Sequence, residues 1–444
     1  MPTVSSVVAP RITRTRVVRG ALLGGLISPA ASILAACSRP GAEPATISAR
    51  PASLVLHTDW LGPGPRGQVT EKGLAEFQQR FPHIKVSAEP LPGDTAEKLT
   101  ALIASDSIGD VALWTHHLVV YFAKRNFFTD LRPYLKTFRY SLDDVYYVPE
   151  IIQYEHKLIA VPFQLNLFDW IYNKTLFKQA GVQPPPDNWT WDQFIATARR
   201  LTDPEKNLWG IEWTVNHPNW MTPIWANGGS LLNATFTKTT LAEPPAAEAI
   251  ELVLDLVHKH RVAPLPAVHR EKQLGFSKGT YALAIGNSPG RALDKALADA
   301  GQMEWDFCYM PALPRTGRRT VQANLQPYVV PATKRATVDQ AVQLAFFMGG
   351  EYVQGLIADT GAAAPTFKKL IDSDRYLVPA HRRKVVLDGH AYRRGMGSNF
   401  EHYVPWRRAV EAELVKGWDG VQSARDTALQ ATLAGDAALA AAGT

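Results

Sequence analysis

Five of the twelve tryptophans, Trp60, Trp114, Trp220, Trp225 and Trp406, stand at strand ends or in loops beside small or polar residues. An indole presents a flat apolar face. The C–H face of a sugar ring lies well against one, while its hydroxyls seek donors and acceptors at the rim. Gln164 and Asn166 are two residues apart, on one face of a strand if one runs through them, and each amide both donates and accepts, as a vicinal diol requires. The plainer role for either amide is a hydrogen bond to nearby backbone. Asn287 and Ser288, just past a strand ending at Ile285, are further polar candidates. His116 and His117 follow Trp114 so closely that at least one should face the same space. Neighbouring histidines on one loop lack the spacing and carboxylate partners of a zinc site, so no metal is expected. Trp189, Trp191, Trp209 and Trp418 fit helix or core packing instead.

Hydrolysis of a glycan would need two carboxylates flanking a cleft. Asp59, Asp169 and Glu212 are available, but Asp169 falls inside a strand between Phe168 and Trp170, and Asp59 stands alone beside Trp60. The sequence has no P-loop. The chain therefore reads as a binding protein without catalytic residues or a cofactor.

The elements that would position these residues alternate. Leu54–Trp60 reads as a strand, 69–81 as a helix, Ile84–Ala88 as a strand, 95–104 as a helix and Asp110–Trp114 as a third strand. That order implies right-handed crossovers and a mostly parallel sheet, with ligands beyond the carboxyl ends of its strands. After Pro162 the pattern restarts with a strand over Leu167–Tyr172 and a helix over 173–180 stopped by Gly181. Thr190 and Gln193 form a capping box. A helix follows over 246–260 and a strand over Tyr281–Ile285. Strands over Trp305–Met310 and Leu325–Val330 precede a helix opened by a second capping box, Thr337 with Gln340. The alanine-rich tail after Gly435 reads as frayed.

Residues 1–36 carry Arg11, Arg14, Arg16 and Arg19, no acidic residue, and an apolar run from Ala21 that ends in Leu34-Ala35-Ala36-Cys37. The run is shorter than the roughly 20 residues a spanning helix needs. This resembles a lipoprotein signal peptide cleaved before Cys37, which would then carry lipid. The arginines are spaced and not twinned, so general secretion is the expected route. Losing those four arginines lowers the net charge from +6 to +2, which removes the case for a nucleic-acid partner. Cys308 is then the one remaining cysteine and reads as a core residue.

The stretch VPFQLNLFDWIYNKTLFKQAGVQPPPDNWTW, Val161 to Trp191, resembles a signature of the extracellular solute-binding proteins of bacterial ABC importers, in the family that includes the maltose-binding type. Phe276-Ser277-Lys278-Gly279, the run Ala341–Phe347, the turn Gly361–Pro365 and the Trp-bearing stretch Tyr403–Val410 extend the resemblance over nearly the whole exported chain. It implies an α/β, two-lobed, type II periplasmic-binding-protein-like fold, each lobe a mostly parallel sheet flanked by helices, the lobes joined by hinge crossovers. The implied parts are a signal peptide (1–36), a flexible tether (37–52), a first lobe (53–162 plus 308–358) and a second (163–307 plus 359–444). It further implies a monomer held to the membrane by lipid at the cell envelope, passing a carbohydrate to the permease subunits of an importer. Trp114 and Trp406 match positions where sugar-binding relatives place stacking aromatics. Asn166 matches a polar or acidic hydrogen-bonding position. Relatives of the maltose-binding type carry an acidic residue at His117, which argues for a different ligand. Ala323-Asn324 replaces a Gly-Gly pair, so Asn324 would substitute a side-chain contact. A phosphorylated glycerol or sugar is the alternative ligand and would need a basic residue such as Arg291 in the cleft.

Overall fold

The computed structural model describes residues 49–91, 96–114, 116–146, 152–287, 303–332, 337–376, 380–389, 391–395 and 400–442. The signal peptide, Cys37, Ser288 and Arg291 lie outside them. The strands are β1 (Ala52–His57), β2 (Ile84–Glu89), β3 (Val111–Leu113), β4 (Gln153–Tyr154), β5 (Lys157–Leu158), β6 (Val161–Asn173), β7 (Trp209–Ile211), β8 (Tyr281–Asn287), β9 (Trp305–Cys308), β10 (Val321–Val329) and β11 (Arg393–Arg394). One sheet runs β2-β1-β3-β10-β6-β8-β7, with β11 added to β10 and β9 to β6, while β4 and β5 form a separate pair. The sheet is mixed and not mostly parallel. β1 pairs parallel with β2 and β3, as the crossovers predict, but β10 and β6 run antiparallel to each other and to their outer neighbours β3 and β8.

The apolar residues gather into two clusters. Leu56, Phe77, Trp114, Phe163, Tyr328 and Ile357 belong to the first, and Trp189, Phe194, Ile224, Val253, Trp406 and Trp418 to the second. β6 joins them: Leu165, Leu167 and Ile171 pack in the first cluster, Trp170 and Tyr172 in the second. Membership of the clusters interleaves along the chain: Leu274, Phe276, Tyr281 and Ala284 join the first, and Cys308, Met310 and Leu313 the second. Ala363, Phe367, Ile371, Tyr376 and Val386, expected with the second lobe, contribute to the first cluster, as do Trp305 and Phe307. The chain returns to the second cluster at Phe400.

Local chemistry explains the helix ends. The helix Trp191–Arg200 opens with the expected capping box, Gln193 N–H donating to Thr190 Oγ1 (3.3 Å) and Thr190 N–H to Gln193 Oε1 (2.8 Å). Gly181 takes the left-handed conformation (φ 61°) just past the helix Lys174–Gln179. Thr337 makes no such cap. Its hydroxyl donates to Asp110 Oδ1 (3.2 Å), tying the helix Val338–Met348 to the loop before β3. The alanine-rich tail is ordered, contrary to expectation: the helix Ala424–Ala442 buries Ala431, Gly435 and Leu439, and Asp436 accepts the N–H of Thr239 at 2.6 Å. Among the described residues no helix is long and apolar enough to cross a membrane.

Candidate functional site

β6 and β10 are the central strands, and they place amides where strands of this burial usually carry aliphatic residues. Alternation sends Gln164, Asn166 and Phe168 to one face of β6. The antiparallel register sets Gln326 opposite Gln164, Asn324 opposite Asn166 and Gln322 opposite Phe168. Gln164 Nε2 donates to Asn166 Oδ1 (3.2 Å) and to Gln326 Oε1. Burying amides costs free energy unless their hydrogen bonds are made. Yet Gln164 Oε1 and Gln322 Nε2 are buried and have no protein partner among the described residues, at side chains only 1% and 0% exposed. A floor that keeps one acceptor and one donor unspent is suited to a hydroxylated ligand.

Three segments wall this floor. His217 opens the helix His217–Ala226, whose N-cap Asn216 accepts from Asn219 N–H; its ring meets Phe168 edge-on at 5.3 Å and its Nδ1 lies 3.0 Å from Gln322 Oε1. His116 and His117 pack edge to face at 5.3 Å in the turn after β3. Arg407 projects from the helix Tyr403–Trp418 and pairs with Glu411 at 3.3 Å, its Nε buried without a partner among the described residues. The three groups share one electrostatic environment. Burial, then His117, His217 and Arg407, hold His116 well below its usual range. Burial drives His217 down to about 4, against the Gln322 bond and with Arg407. Both rings are therefore neutral at neutral pH.

A pocket of about 530 Å³ is lined by Glu97, Thr100, His117 and Tyr121 together with Glu401, His402, Arg407 and Arg408. That is within the size range of small-molecule sites. Among the described residues no group of three His, Cys, Asp or Glu side chains is placed to hold a metal ion.

The family model for bacterial extracellular solute-binding proteins matches residues 63–366. The chain belongs to this family. Its members are solute-binding proteins and not enzymes, and the family is exported. Solved structures share the fold of this solute-binding protein. An ABC substrate-binding protein from Listeria monocytogenes in complex with cycloalternan aligns at TM-score 0.76 and 20% identity, over 88% of this chain and 99% of that one. A cyclic α-maltosyl-1,6-maltose binding protein from Arthrobacter globiformis gives 0.71 at 20% identity, over 88% and 98%. A maltose-bound protein of T. maritima gives 0.71 at 18%, over 86% and 98%. A curated relative from Brucella abortus (strain 2308), carrying a provisional name as a binding protein, is 24% identical over 265 residues, or 57% of this chain and 62% of its own length.

In this solute-binding protein, Gln164, Asn166 and Asn324 meet on the floor and His117 lines the pocket, but the five tryptophans do not present ring faces there. Trp60 is fully buried, edge-on to Phe163 at 4.7 Å. Trp114 is fully buried in a cage of Phe122 (5.1 Å), Phe127 (5.8 Å) and Phe128 (5.3 Å). Trp406 donates to Thr239 Oγ1 (3.0 Å) and packs among Trp220, Phe400 and Tyr403. Trp220 donates to Glu411 Oε1 (3.2 Å), and Trp225 is buried on the same helix. The physical reason is area. An indole buries so much apolar surface that a nearby core takes it ahead of a ligand. Asn287 ends β8 opposite Phe168. The carboxylates weighed for catalysis are dispersed: Asp59 faces Arg66 at 4.0 Å, Glu212 accepts Phe276 N–H, and Asp169 lies on the reverse face of β6. Gln322, Gln326, His217 and Arg407 were not anticipated. The alternation Gln322-Ala323-Asn324-Leu325-Gln326 carried the signal, because it mirrors Gln164-Leu165-Asn166 once β10 is started at Val321 instead of Leu325.

Proposed function

We propose that this protein is the lipid-anchored solute receptor of an ABC importer, capturing a carbohydrate, an oligosaccharide by preference, between its two lobes and delivering it to the permease. The observation that carries the reading is the amide floor. Five amide side chains converge from β6 and β10, and Gln164 Oε1 and Gln322 Nε2 remain buried without a protein partner among the described residues. Neutral amides and neutral imidazoles suit hydroxyl groups, which donate and accept at once. The sugars named for the neighbouring structures, cycloalternan and maltose among them, support the same class. The lobes of this reading are the two apolar clusters, β6 and β10 act as the hinge, and closure follows the hinged-jaw pattern. Lipid on Cys37 would keep the receptor beside its permease. It acts as a monomer and requires no cofactor.

A thermal-shift screen against a carbohydrate panel tests this reading. A true ligand at about 100 times its dissociation constant adds about 2.7 kcal/mol to stability. Gln322→Leu, which removes amide chemistry at nearly constant volume, should abolish the shift while leaving the fold intact. A panel without any stabilising sugar would sink the proposal. The second reading, a phosphorylated glycerol or sugar, is favoured by Arg407, whose charge reaches both His116 and His217; it predicts a shift with phosphorylated polyols alone.

A further inference from the structure

Glu401, which lines the pocket, makes a charged contact that neither the amide floor nor the packing of either core requires. Glu401, in the segment leading into the helix Tyr403–Trp418, meets Lys124 Nζ at 3.0 Å with Oε2 and Arg125 Nη1 at 2.5 Å with Oε1. Both cations follow the helix Val119–Ala123, whose Val119, Phe122 and Ala123 belong to the first cluster, whereas Phe400 and Tyr403 beside Glu401 belong to the second. The contact joins residues 276 and 277 positions apart and uses both carboxylate oxygens. Arg125 is held ready for it by its own segment, since the same Nη1 donates to Tyr121 O (2.7 Å) and the guanidinium lies 3.7 Å from the centre of the Tyr121 ring. A cation already fixed in place loses less side-chain entropy when it pairs. Glu401 is 14% exposed, so water screens it less than its partners. Burial would raise its carboxyl, but Arg125 and Lys124 outweigh burial and hold it below the usual range, so it is charged at neutral pH.

We infer that Glu401, Lys124 and Arg125 form an ionic clasp across the cleft mouth that holds the lobes closed and sets how long a bound solute stays. They are positioning residues: Glu401 lines the pocket, and all three act through the geometry of the lobes. The inference rests on a cleft between two mobile lobes and not on the identity of the solute, so a failed carbohydrate screen leaves it standing.

Small-angle X-ray scattering on the solute-free protein tests it. Raising ionic strength from about 0.01 M to about 1 M shortens the screening length from about 30 Å to about 3 Å. Wild type should gain radius of gyration across that range. Glu401→Gln should be expanded already at low salt and indifferent to further salt, with the open-to-closed ratio raised roughly 3- to 10-fold. A charge-swapped variant, Lys124→Glu with Arg125→Glu and Glu401→Arg, should recover the compact, salt-sensitive state. Glu413→Gln removes a carboxylate that pairs with Lys416 inside the second lobe, and should match wild type. Should Glu401→Gln prove unstable, Lys124→Gln with Arg125→Gln reads the same contact from the other side. Equal compactness of wild type and the clasp variants at low salt overturns the inference, as does equal expansion of Glu401→Gln and Glu413→Gln.

Discussion

Trp114→Ala should unfold the protein early and not merely weaken its grip on solute. The side chain is 0% exposed and ringed by Phe122, Phe127 and Phe128, with two of the three contacts edge to face at 89° and 86°. Truncation exposes or leaves void roughly 200 Å² of apolar surface, worth at most about 5 kcal/mol at about 25 cal/mol per Å². Measured losses for such truncations run from about 3 to 5 kcal/mol. One feature reduces the cost: Trp114 Nε1 is buried without a partner among the described residues, so removing it relieves a desolvation penalty of about 1 to 3 kcal/mol. A net loss of about 3 kcal/mol lowers the melting temperature of a lobe of about 200 residues by roughly 10 °C. Trp114→Phe keeps the edge contacts and discards the unpartnered N–H, so it should sit within about 1 kcal/mol of wild type. Differential scanning calorimetry of both variants, alone and with the stabilising sugar, makes the comparison. If Trp114→Ala melts within about 2 °C of wild type yet no longer responds to the sugar, the ring is a ligand platform and the cage argument is wrong.

Gly435→Ala probes the ordered tail: a Cβ there would clash with Thr239 Oγ1 and meet Trp406 Nε1 at 2.9 Å, wedging apart the hydrogen bond between them. Overpacking of about 1 to 3 kcal/mol should outweigh the helix-propensity gain of about 1 kcal/mol, and a stabilised variant in urea unfolding would disprove the close approach. Acid response pits two groups against each other. Below pH 6.5 the unfolded chain takes up protons that buried His116 and His217 refuse, so their contribution falls as pH drops. Burial raises Asp169 to about 7, so between pH 7 and 3.8 the folded state holds a proton that the unfolded state has released, and its contribution rises as pH drops. Each full proton is worth about 1.4 kcal/mol per pH unit. Asp169→Asn should therefore lose stability more steeply than wild type between pH 6.5 and 4, and His217→Gln less steeply; identical slopes in a pH series of urea midpoints would count against both assignments. Cys37→Ala should move the protein from the membrane to the soluble fraction, and membrane-bound, uncleaved protein would refute the lipid anchor.

Local order alone decided much of this chain. Thr190 and Gln193 satisfy each other's backbone three residues apart, Gly181 relieves a left-handed turn, and alternation from Leu54 to Trp114 fixes parallel crossovers, because all of these act within one or two elements. The spacing of Gln164 and Asn166 likewise fixed their common face. Tertiary structure decided what those residues face. β10 arrives from about 160 residues away to set Gln326, Asn324 and Gln322 against β6, and only that pairing turns two amides into a floor. The fate of the tryptophans was also non-local. Trp114 and Trp406 follow the same residue types as a cleft aromatic would, and whether an indole meets a ligand or a phenylalanine depends on which distant segment packs over it. Thr337 shows the same rule at a helix end: its sequence spells a cap, but Asp110, brought in by the sheet, offers its hydroxyl a partner outside the helix.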